Sequence, residues 1–251
     1  MDIKTFRKLF AEKVLEQIGS EGFLYKSSRE LFIKTEGNHQ FFIFVYMYRR
    51  STFIEIQTKI YYGDKSMNEK LKALGIKPYN EELCGGNIDY ISESYFDKKF
   101  PEKYNNLIFM LNEDLNYIIK KWLEYYESIM NPFFKDCLDP KKLYWIVNEY
   151  KIDKPALVPT YNTRVEKFYF VAQNAGLKDE KLQELVTKYE IIIEQKQLKY
   201  TEKLDFYNTF YELKEKLFDI RDEQENYYDG IEEAVVRRLL RILRVMENIL
   251  I

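Results

Sequence analysis

The sequence is short of histidine and cysteine, the two residue types on which many catalytic and metal sites depend. Its 251 residues include one histidine, His39, and two cysteines, Cys84 and Cys137. A Ser–His–Asp or Cys–His site needs an imidazole that moves a proton near neutral pH, and a zinc site needs three or four such ligands. His39 lies in Gly37–Gln40, which predicts an exposed turn between two strands. The composition therefore argues against histidine-based catalysis and against zinc.

The cysteines also argue against a disulfide framework. Two of them, far apart in the sequence, do not form the framework of a small secreted fold. Cys84 precedes the loop Gly85–Asn87, where a thiol would be exposed, but Glu81 and Glu82 disfavour the thiolate form that a nucleophile requires. A reducing compartment fits this cysteine usage.

Long hydrophobic runs are absent as well. The N-terminal residues Met1–Lys8 are charged and lack the apolar stretch of a signal peptide. The longest apolar run, Phe41–Met47, has the length of a strand, and no run is long enough to span a membrane. The phosphate-binding patterns G-x-G-x-x-G and G-x-x-x-x-G-K are missing too. We therefore expect a cytoplasmic chain without a membrane partner and without a cofactor.

Charge of neither sign dominates. Lys plus Arg number 39 and Asp plus Glu 41, so the net charge is −2 and gives no overall attraction to nucleic acid or an anionic membrane. Hydrophobic residues make up 46% and charged residues 32%, a balance typical of a folded protein. Tyrosine (22) and phenylalanine (18) are abundant. AT-rich codons explain part of that excess, and tyrosine-rich surfaces also favour binding.

Hydrophobic periodicity predicts a fold that begins with a helix and an antiparallel sheet. Apolar residues recur with helical spacing over Ile3–Ile18, and Gly19 is a suitable stop. Short β-branched and aromatic segments follow, separated by turns short enough for hairpins. With the first helix packed on one face of the meander, we expect strands over Phe23–Tyr25, Leu31–Thr35, Phe41–Tyr48 and Phe53–Tyr61.

The middle of the chain predicts helices separated by one long loop. Asp64 or Ser66 can cap the first helix, and Asn131-Pro132 is a typical end for the second. The glycines and proline of Gly75–Tyr95 predict mostly loop between them. We expect the helices to run to Leu74, from Pro101 to Met130, and over Lys141–Tyr150.

A proline-containing segment divides the predicted fold. Residues 151–163 contain Pro155 and Pro159 and are the best candidate for a linker. Residues 1–150 then form a domain of helix, antiparallel meander and long helices, and residues 164–251 form a helical domain or arm. The predicted class is α+β, with an N-terminal antiparallel sheet and flanking helices followed by an all-helical C-terminal part.

The order of helix, meander and helix carries a resemblance. Its features are the apolar face from Phe6 to Leu15, the start Gly22–Lys26, and the hairpin Phe41–Tyr62. Over roughly the first 75 residues the chain resembles a group of small bacterial domains without an assigned function. Such domains are often discussed beside phage defence and toxin immunity. The resemblance implies no catalytic residue.

One strand carries the residue types of a metal-dependent nuclease. Strand alternation places Glu55, Gln57 and Lys59 on one face of the fourth strand. In such nucleases carboxylates hold Mg²⁺ and a lysine polarises the phosphate. Glutamine is a poorer ligand and the preceding strand supplies no acid, so the solvated face of a half-buried strand is the alternative interpretation. Arg49 and Arg50 at the adjacent turn suit a phosphate or an acidic protein partner.

The C-terminal segment combines arginines with an aliphatic seam. From about Ile231 a helix is predicted in which Arg237, Arg241 and Arg244 share one face. These arginines indicate an anion-binding or nucleic-acid-binding stripe, or else the solvated rim of an oligomer helix whose dipole they complement. The acid-rich residues 201–230 can pair with them.

The sequence leaves three functional hypotheses. The missing catalytic chemistry and the resemblance favour a non-enzymatic protein-binding module of a bacterial or phage conflict system, such as an immunity factor or a defence component. The second hypothesis is a Mg²⁺-dependent nuclease or phosphoryl-handling enzyme that uses Glu55, Gln57 and Lys59. The third is a helical oligomerisation scaffold. The expected partner is another protein, with self-association through the C-terminal helices, and nucleic acid is the less favoured partner.

Overall fold

The structure, a computed structural model, describes residues 2–98, 107–198 and 205–218. The strands in chain order are β1 (Leu24–Lys26), β2 (Leu31–Glu36), β3 (His39–Arg49), β4 (Phe53–Asp64), β5 (Cys84–Asn87) and β6 (Leu107–Met110). The helices are α1 (Ile3–Ile18), α2 (Lys65–Ala73), α3 (Ile88–Ser94), α4 (Leu115–Tyr125), α5 (Asn131–Leu138), α6 (Pro140–Tyr144), α7 (Tyr161–Asn174), α8 (Asp179–Leu198) and α9 (Asp205–Phe218). The predicted α+β class, with its N-terminal antiparallel sheet and later helices, is confirmed.

Helix α1 forms as its apolar spacing predicts. The Asp2 carboxylate accepts hydrogen bonds from the backbone N–H groups of Lys4 and Thr5, at 2.9 and 3.0 Å, and so satisfies donors that a helix start leaves unpaired. The helix packs against β3 and α4. Its buried stripe consists of Phe6, Phe10, Ala11, Val14 and Ile18.

The sheet is the predicted antiparallel meander with one additional position. Strands β1 to β4 pair in chain order, and β3 pairs with β4 along almost their whole length. The other edge of β4 is shared: β5 pairs with Lys59–Tyr62 and β6 with Phe53–Ile56. Two short strands therefore lie end to end in the fifth position.

The inner face of the sheet, which we define as the face toward α1 and α4, is closed by Trp122. Its indole is fully buried, lies edge-on to Phe10 at 5.8 Å between ring centroids, and is 6.0 Å from Phe32. The indole N–H donates a 3.0 Å hydrogen bond to Thr58 Oγ1 on β4. Because the polar atom of the ring finds a partner inside the core, the large side chain can be buried without a desolvation penalty.

Residues 75–95 are not mostly loop, because β5 and α3 lie within them. Gly85 and Gly86 belong to β5, although a glycine pair predicts a loop. A Cβ built at Gly85 would lie 2.0 Å from the Ile60 carbonyl oxygen, and the φ angle of Gly85 is +142°. Glycine at this position permits a close strand pairing, which the sequence pattern alone does not distinguish from flexibility.

The prediction of one long helix over Pro101–Met130 is wrong for residues 107–114. Strand β6 occupies Leu107–Met110, and α4 begins only at Leu115, where Asp114 accepts a 3.2 Å hydrogen bond from the Asn116 N–H. A four-residue apolar run does not separate strand from helix by its period. Pairing with the free edge of β4 makes it a strand.

Asn131 and Pro132 do not end the helix that precedes them. In a wide turn over Tyr126–Met130, the Asn131 N–H bonds to the Tyr126 carbonyl five residues back, and the chain continues directly into α5. Proline has no N–H to donate and lies in the first turn of α5, where it is tolerated. The helix predicted over Lys141–Tyr150 is present as α6 and a second wide turn.

The segment predicted as a linker, residues 151–163, is packed against the rest of the fold. Leu157 and Val158 are buried, and the Leu157 carbonyl accepts a 2.7 Å hydrogen bond from the Gly85 N–H on β5. Helix α7 begins at Tyr161, inside the predicted segment. The division into two domains stays a prediction, and one large cluster of buried side chains includes residues from both parts.

Helix α7 lies at the centre of the helical part. Every side chain from Tyr161 to Ala172 is buried, which requires neighbours on all sides of the helix. The ring centroid of Phe168 lies 4.2 Å from that of Tyr189 on α8 and 6.1 Å from that of Phe210 on α9. In the part of the chain that the structure describes, no helix combines the length and apolarity needed to cross a membrane.

The close pairing at Gly85 predicts a sharp difference between neighbouring glycines. Gly85→Ala should lower the free energy of unfolding by at least about 2 kcal/mol, because its Cβ meets backbone and its φ is positive. Gly86→Ala, whose Cβ would meet no atom within 4 Å, is the matched control and should cost less than about 1 kcal/mol. Urea unfolding followed by tryptophan fluorescence measures both. Equal effects would contradict the pairing of β5 with β4.

Candidate binding face

The outer face of the sheet, opposite α1 and α4, is the candidate functional site. Buried residues alternate with half-buried ones along β4, so Glu55, Gln57 and Lys59 do share one face, as the strand period predicts. The same face of β3 lies beside them, since the register pairs Tyr46 with Gln57. Its central side chains are Phe42, Phe44, Tyr46, Tyr48, Glu55, Gln57, Lys59 and Tyr61.

Aromatic rings form a row along β3 on this face. Phe42 and Phe44 have centroids 6.5 Å apart and planes 16° apart, and Phe44 and Tyr46 follow at 6.1 Å and 15°. Tyr61 on β4 meets Phe44 edge-on, at 6.0 Å and 76°. Phe42, Phe44 and Leu31 form a second buried cluster, separate from the main core. The buried rings of Phe42 and Phe44 therefore hold the row in place, and the ring of Tyr46 that follows them has a defined orientation.

Cations lie over three of the rings. The Arg29 guanidinium is 5.9 Å from the centroid of Phe44, and the Lys59 ammonium is 5.9 Å from that of Tyr46. The Arg50 guanidinium is 5.8 Å from the centroid of Tyr48. Each such contact contributes about 0.5–1 kcal/mol at an exposed site. The outer face thus combines flat apolar surface with positive charge.

The phenols of Tyr46 and Tyr61 on this face stay neutral and can donate hydrogen bonds. Burial raises the pKa of Tyr46 above its ordinary value, and the neighbouring Tyr48 and Glu30 raise it further. Burial and the charge of Glu82 likewise raise the pKa of Tyr61. Neither hydroxyl acts as a base near neutral pH, so the chemistry they offer is recognition.

The outer face continues into exposed apolar side chains toward β6. Ile108 is the register partner of Glu55, and Met110 is that of Phe53. Their exposed fractions are 40% and 50%, and that of Tyr48 is 42%. These side chains extend the aromatic row at the end of the face where Arg50 lies.

The Glu55 carboxylate is engaged by an arginine. Arg50 Nη2 and Nε lie 3.0 and 3.3 Å from Glu55 Oε2. Among residues 2–98, 107–198 and 205–218, no group of three or more His, Cys, Asp or Glu side chains could hold a metal ion. The nuclease role of Glu55, Gln57 and Lys59 stays a prediction, and in this arrangement the carboxylate already has a cationic partner.

The structure separates the two predicted turn arginines. Arg50 reaches Glu55 on the outer face. Arg49 is the last residue of β3 and the register partner of Ile54, whose buried side chain belongs to the inner face. Strand alternation therefore directs Arg49 away from Arg50. Both are exposed, but only Arg50 belongs to the outer face.

The C-terminal arginines Arg237, Arg241 and Arg244 lie outside the described residues. The helix from about Ile231, the anion-binding stripe and the self-association through this segment stay predictions. They carry no part of the site that is built on the sheet.

Two charged residues of α7 hold the loop beside the outer face. The Lys167 ammonium donates to the carbonyl oxygens of Asn80 and Glu82, at 2.6 and 3.3 Å, and Glu166 accepts from the Tyr79 N–H at 3.0 Å. Burial raises the pKa of Glu166 and lowers that of Lys167, and their mutual attraction at 3.7 Å opposes both shifts. Sequence reasoning missed this pair, because charges on a predicted helix indicate a solvated face.

His39 is not the exposed turn residue that the sequence predicts. The turn consists of Gly37 and Asn38, and His39 is the half-buried first residue of β3. Its Nδ1 lies 2.7 Å from the Tyr62 hydroxyl. Burial raises the pKa of Tyr62 well above its ordinary value, so the phenol keeps its proton in this pair. The contact orders the end of the sheet.

Asp89 is a half-buried acid beside the sheet edge. Burial raises the pKa of Asp89 to about 6, and the charge of Glu93 adds to the shift. Its buried Oδ2 has no hydrogen-bond partner among the described residues. A shifted carboxyl of this kind marks a candidate acid or base.

Comparisons with known proteins return no neighbour. No protein-family model matches the chain, and no curated protein and no solved structure matches it. The resemblance of the first part of the chain to small bacterial domains therefore stays a prediction. The function is argued from the geometry of the outer face.

The raised pKa of Asp89 predicts a pH-dependent gain on its neutralisation. The folded pKa of about 6 lies above the ordinary aspartate value of 3.8, so the stabilisation present below pH 4 is lost as the pH rises through 6. Asp89→Asn should therefore raise the free energy of unfolding by about 1–3 kcal/mol at pH 8 relative to its effect at pH 3. Urea titrations at both pH values measure this difference.

The exposed Glu12 of α1 provides the control for that experiment. Glu12→Gln should change stability by a similar small amount at pH 3 and pH 8, because its side chain is mostly in water. An Asp89→Asn effect that does not depend on pH would show that the carboxyl titrates normally.

Proposed function

We propose that this chain is a non-enzymatic binding protein that docks a partner protein on the outer face of its sheet. The observation that carries the proposal is the fixed row of parallel rings with cations above them. The accessible apolar side chains beside this row, Tyr48, Ile108 and Met110, are costly to leave in water. Tyrosine, arginine and flat aromatic area are what protein interfaces concentrate at their centres. A role as an immunity factor or defence component of a bacterial conflict system belongs to the same proposal.

The rigidity of the face supports a binding role. The rings of Phe42 and Phe44 are buried within the fold, and the ring of Tyr61 packs edge-on against that of Phe44. Interface side chains that are already immobilised lose little conformational entropy when a partner docks. Tyr48 and Ile108, each about two-fifths exposed, then offer apolar area that a partner can cover without any rearrangement of the sheet.

The charge of the face indicates the chemistry of the partner. Arg29 and Lys59 lie over the rings, and Lys26 on β1 stands beside Leu31. Arg50 is paired with Glu55. The acids Glu30 and Glu82 also act on this face, so its positive charge is local and lies at Arg29, Lys59 and Lys26. A partner with carboxylates around an apolar patch is complementary, and the charges steer its approach and its orientation.

A matched pair of double variants tests this proposal. In Tyr48→Ser/Lys59→Glu the outer face loses a ring and reverses a charge. Tyr117→Ser/Lys8→Glu makes the same changes on α4 and α1, where Tyr117 is 47% exposed and the Lys8 side chain 76%. We expect the first variant to recover at least tenfold less of one stoichiometric partner protein from the native host than the unchanged chain does.

The control variant should recover the partner at the level of the unchanged chain. Affinity purification with isotope-labelled mass spectrometry measures both, and absorbance detects bound nucleic acid. Equal recovery by the two double variants would place the partner elsewhere on the chain. Nucleic acid in place of protein would overturn the protein-binding proposal.

The nuclease hypothesis is tested separately. Because Arg50 occupies Glu55, we expect no cleavage of DNA or RNA by the purified chain in the presence of Mg²⁺ or Mn²⁺. Cleavage that Glu55→Gln abolishes while the protein stays folded would establish the enzyme instead. Under the binding proposal, Glu55→Gln leaves partner recovery within about threefold, since exposed ion pairs contribute little.

A further inference from the structure

The only two cysteines of the chain meet in the core. Cys84 and Cys137 are 53 positions apart in sequence, and their sulfur atoms are 3.5 Å apart. Both are free thiols, and both side chains are buried. Because the chain has only two cysteines, their contact exists only because the fold places the start of β5 beside the end of α5.

Each cysteine is held by its own element. Cys84 is the first residue of β5 and the register partner of Tyr62, and the backbone on either side of it is hydrogen-bonded. The Leu83 N–H donates to the Tyr62 carbonyl at 2.7 Å, and the Gly85 N–H donates to the Leu157 carbonyl at 2.7 Å. The position of the Cys84 sulfur is therefore fixed relative to the sheet.

Cys137 lies near the end of α5, where the preceding Asp136 is held from two sides. The Tyr95 hydroxyl donates to Asp136 Oδ2 at 3.0 Å, and the Lys142 ammonium donates to Asp136 Oδ1 at 2.5 Å. These contacts fix the last turn of α5 against α3 and α6. The two sulfurs thus face each other from two rigid elements, the sheet edge and the helical layer.

We propose that Cys84 and Cys137 are a redox modification site that forms an intramolecular disulfide. The oxidant is a small-molecule disulfide such as oxidised glutathione. One cysteine thiolate attacks it, forming a mixed disulfide and releasing one glutathione thiolate. The second cysteine thiolate then attacks the sulfur of the first cysteine and releases the other glutathione. Two protein thiols are oxidised and one glutathione disulfide is reduced to two thiols.

The bond requires only a small movement. The sulfurs must approach from 3.5 Å to about 2 Å, a change that rotations about the Cα–Cβ bonds of the two side chains can supply. The product cross-links the sheet edge to the helical layer.

Burial makes the reaction slow and the product durable. Desolvation raises the pKa of the Cys137 thiol well above its ordinary value, so little thiolate is present in the closed protein. An oxidant reaches the sulfurs only when β5 or α5 opens locally, or while the chain folds. The same burial slows reduction of the finished bond. In a reducing compartment the pair stays free, and an oxidising change closes it.

This inference does not rest on the proposed binding function. The cysteines belong to the main core, whereas the aromatic row is the separate cluster of the outer face. A disulfide therefore changes the stability of the chain and leaves partner recovery by the outer face unchanged. Failure of one proposal leaves the other standing.

The experiment equilibrates the full purified chain in buffers of defined ratio of reduced to oxidised glutathione. We expect the oxidised chain to lose the mass of two hydrogens, to give no thiol titre after unfolding, and to yield a joined Cys84–Cys137 peptide in a non-reducing digest. Its Tm should rise by roughly 5–15 °C and return on addition of dithiothreitol, since the bond restricts the unfolded chain.

Single variants supply the controls. Cys84→Ser and Cys137→Ser should show no rise in Tm in any buffer, and the remaining thiol should form only a glutathione adduct. If a serine variant does not fold, the alanine variant at the same position replaces it, and the mass and Tm of the unchanged chain decide by themselves. Two free thiols at every ratio, glutathione adducts without a cross-link, or a cross-link without a change in Tm would overturn the proposal.

Discussion

The hydrogen bond from the Trp122 indole to Thr58 Oγ1 is the contact on which the rest of the structure depends. It joins α4 to the middle of β4, and it gives the indole N–H a partner in a place that water does not reach. Once α4 and α1 cover that side, the strand period assigns every alternate residue of β3 and β4 to the opposite side. A one-residue shift in register would bury Lys59 and Glu55 and expose Ile56 and Ile60.

The two faces of the sheet consequently differ in how much of the core they carry. The inner side belongs to one large core that continues into the helices, whereas the outer side carries a thin cluster of its own. This cluster buries Phe42 and Phe44 and holds the neighbouring Tyr46, and the cations of Arg29 and Lys59 lie against the rings of Phe44 and Tyr46. Rigid aromatic surface with charge beside it is suited to recognition, which is the basis of the proposed binding role.

Much of this architecture follows from the sequence, and its failures have identifiable causes. Periods of 3.6 and 2 located α1, the meander and the shared face of Glu55, Gln57 and Lys59, since each was long enough to express its period. Strand β6 was too short to do so, and tertiary pairing with β4 decided its state. The glycine at position 85 predicted a loop, but it lies in β5, where the close approach of the β4 backbone requires a residue without a Cβ. The sequence shows that aromatic and cationic residues are present in β3 and β4. It does not show which of them are neighbours, because that depends on the register between strands rather than on local sequence.

The enclosure of α7 also governs how the chain is made. Its neighbours come from both sides in the sequence: the loop at Asn80 precedes it, while Tyr189 and Phe210 follow it. Synthesis proceeds from the N-terminus, so a growing chain that has completed α7 still lacks the rings of Tyr189 and Phe210 that pack against Phe168. Until α9 leaves the ribosome, an aromatic helix stands open to aggregation and to chaperones. The interval between α7 and α9 therefore sets how long each new molecule is at risk.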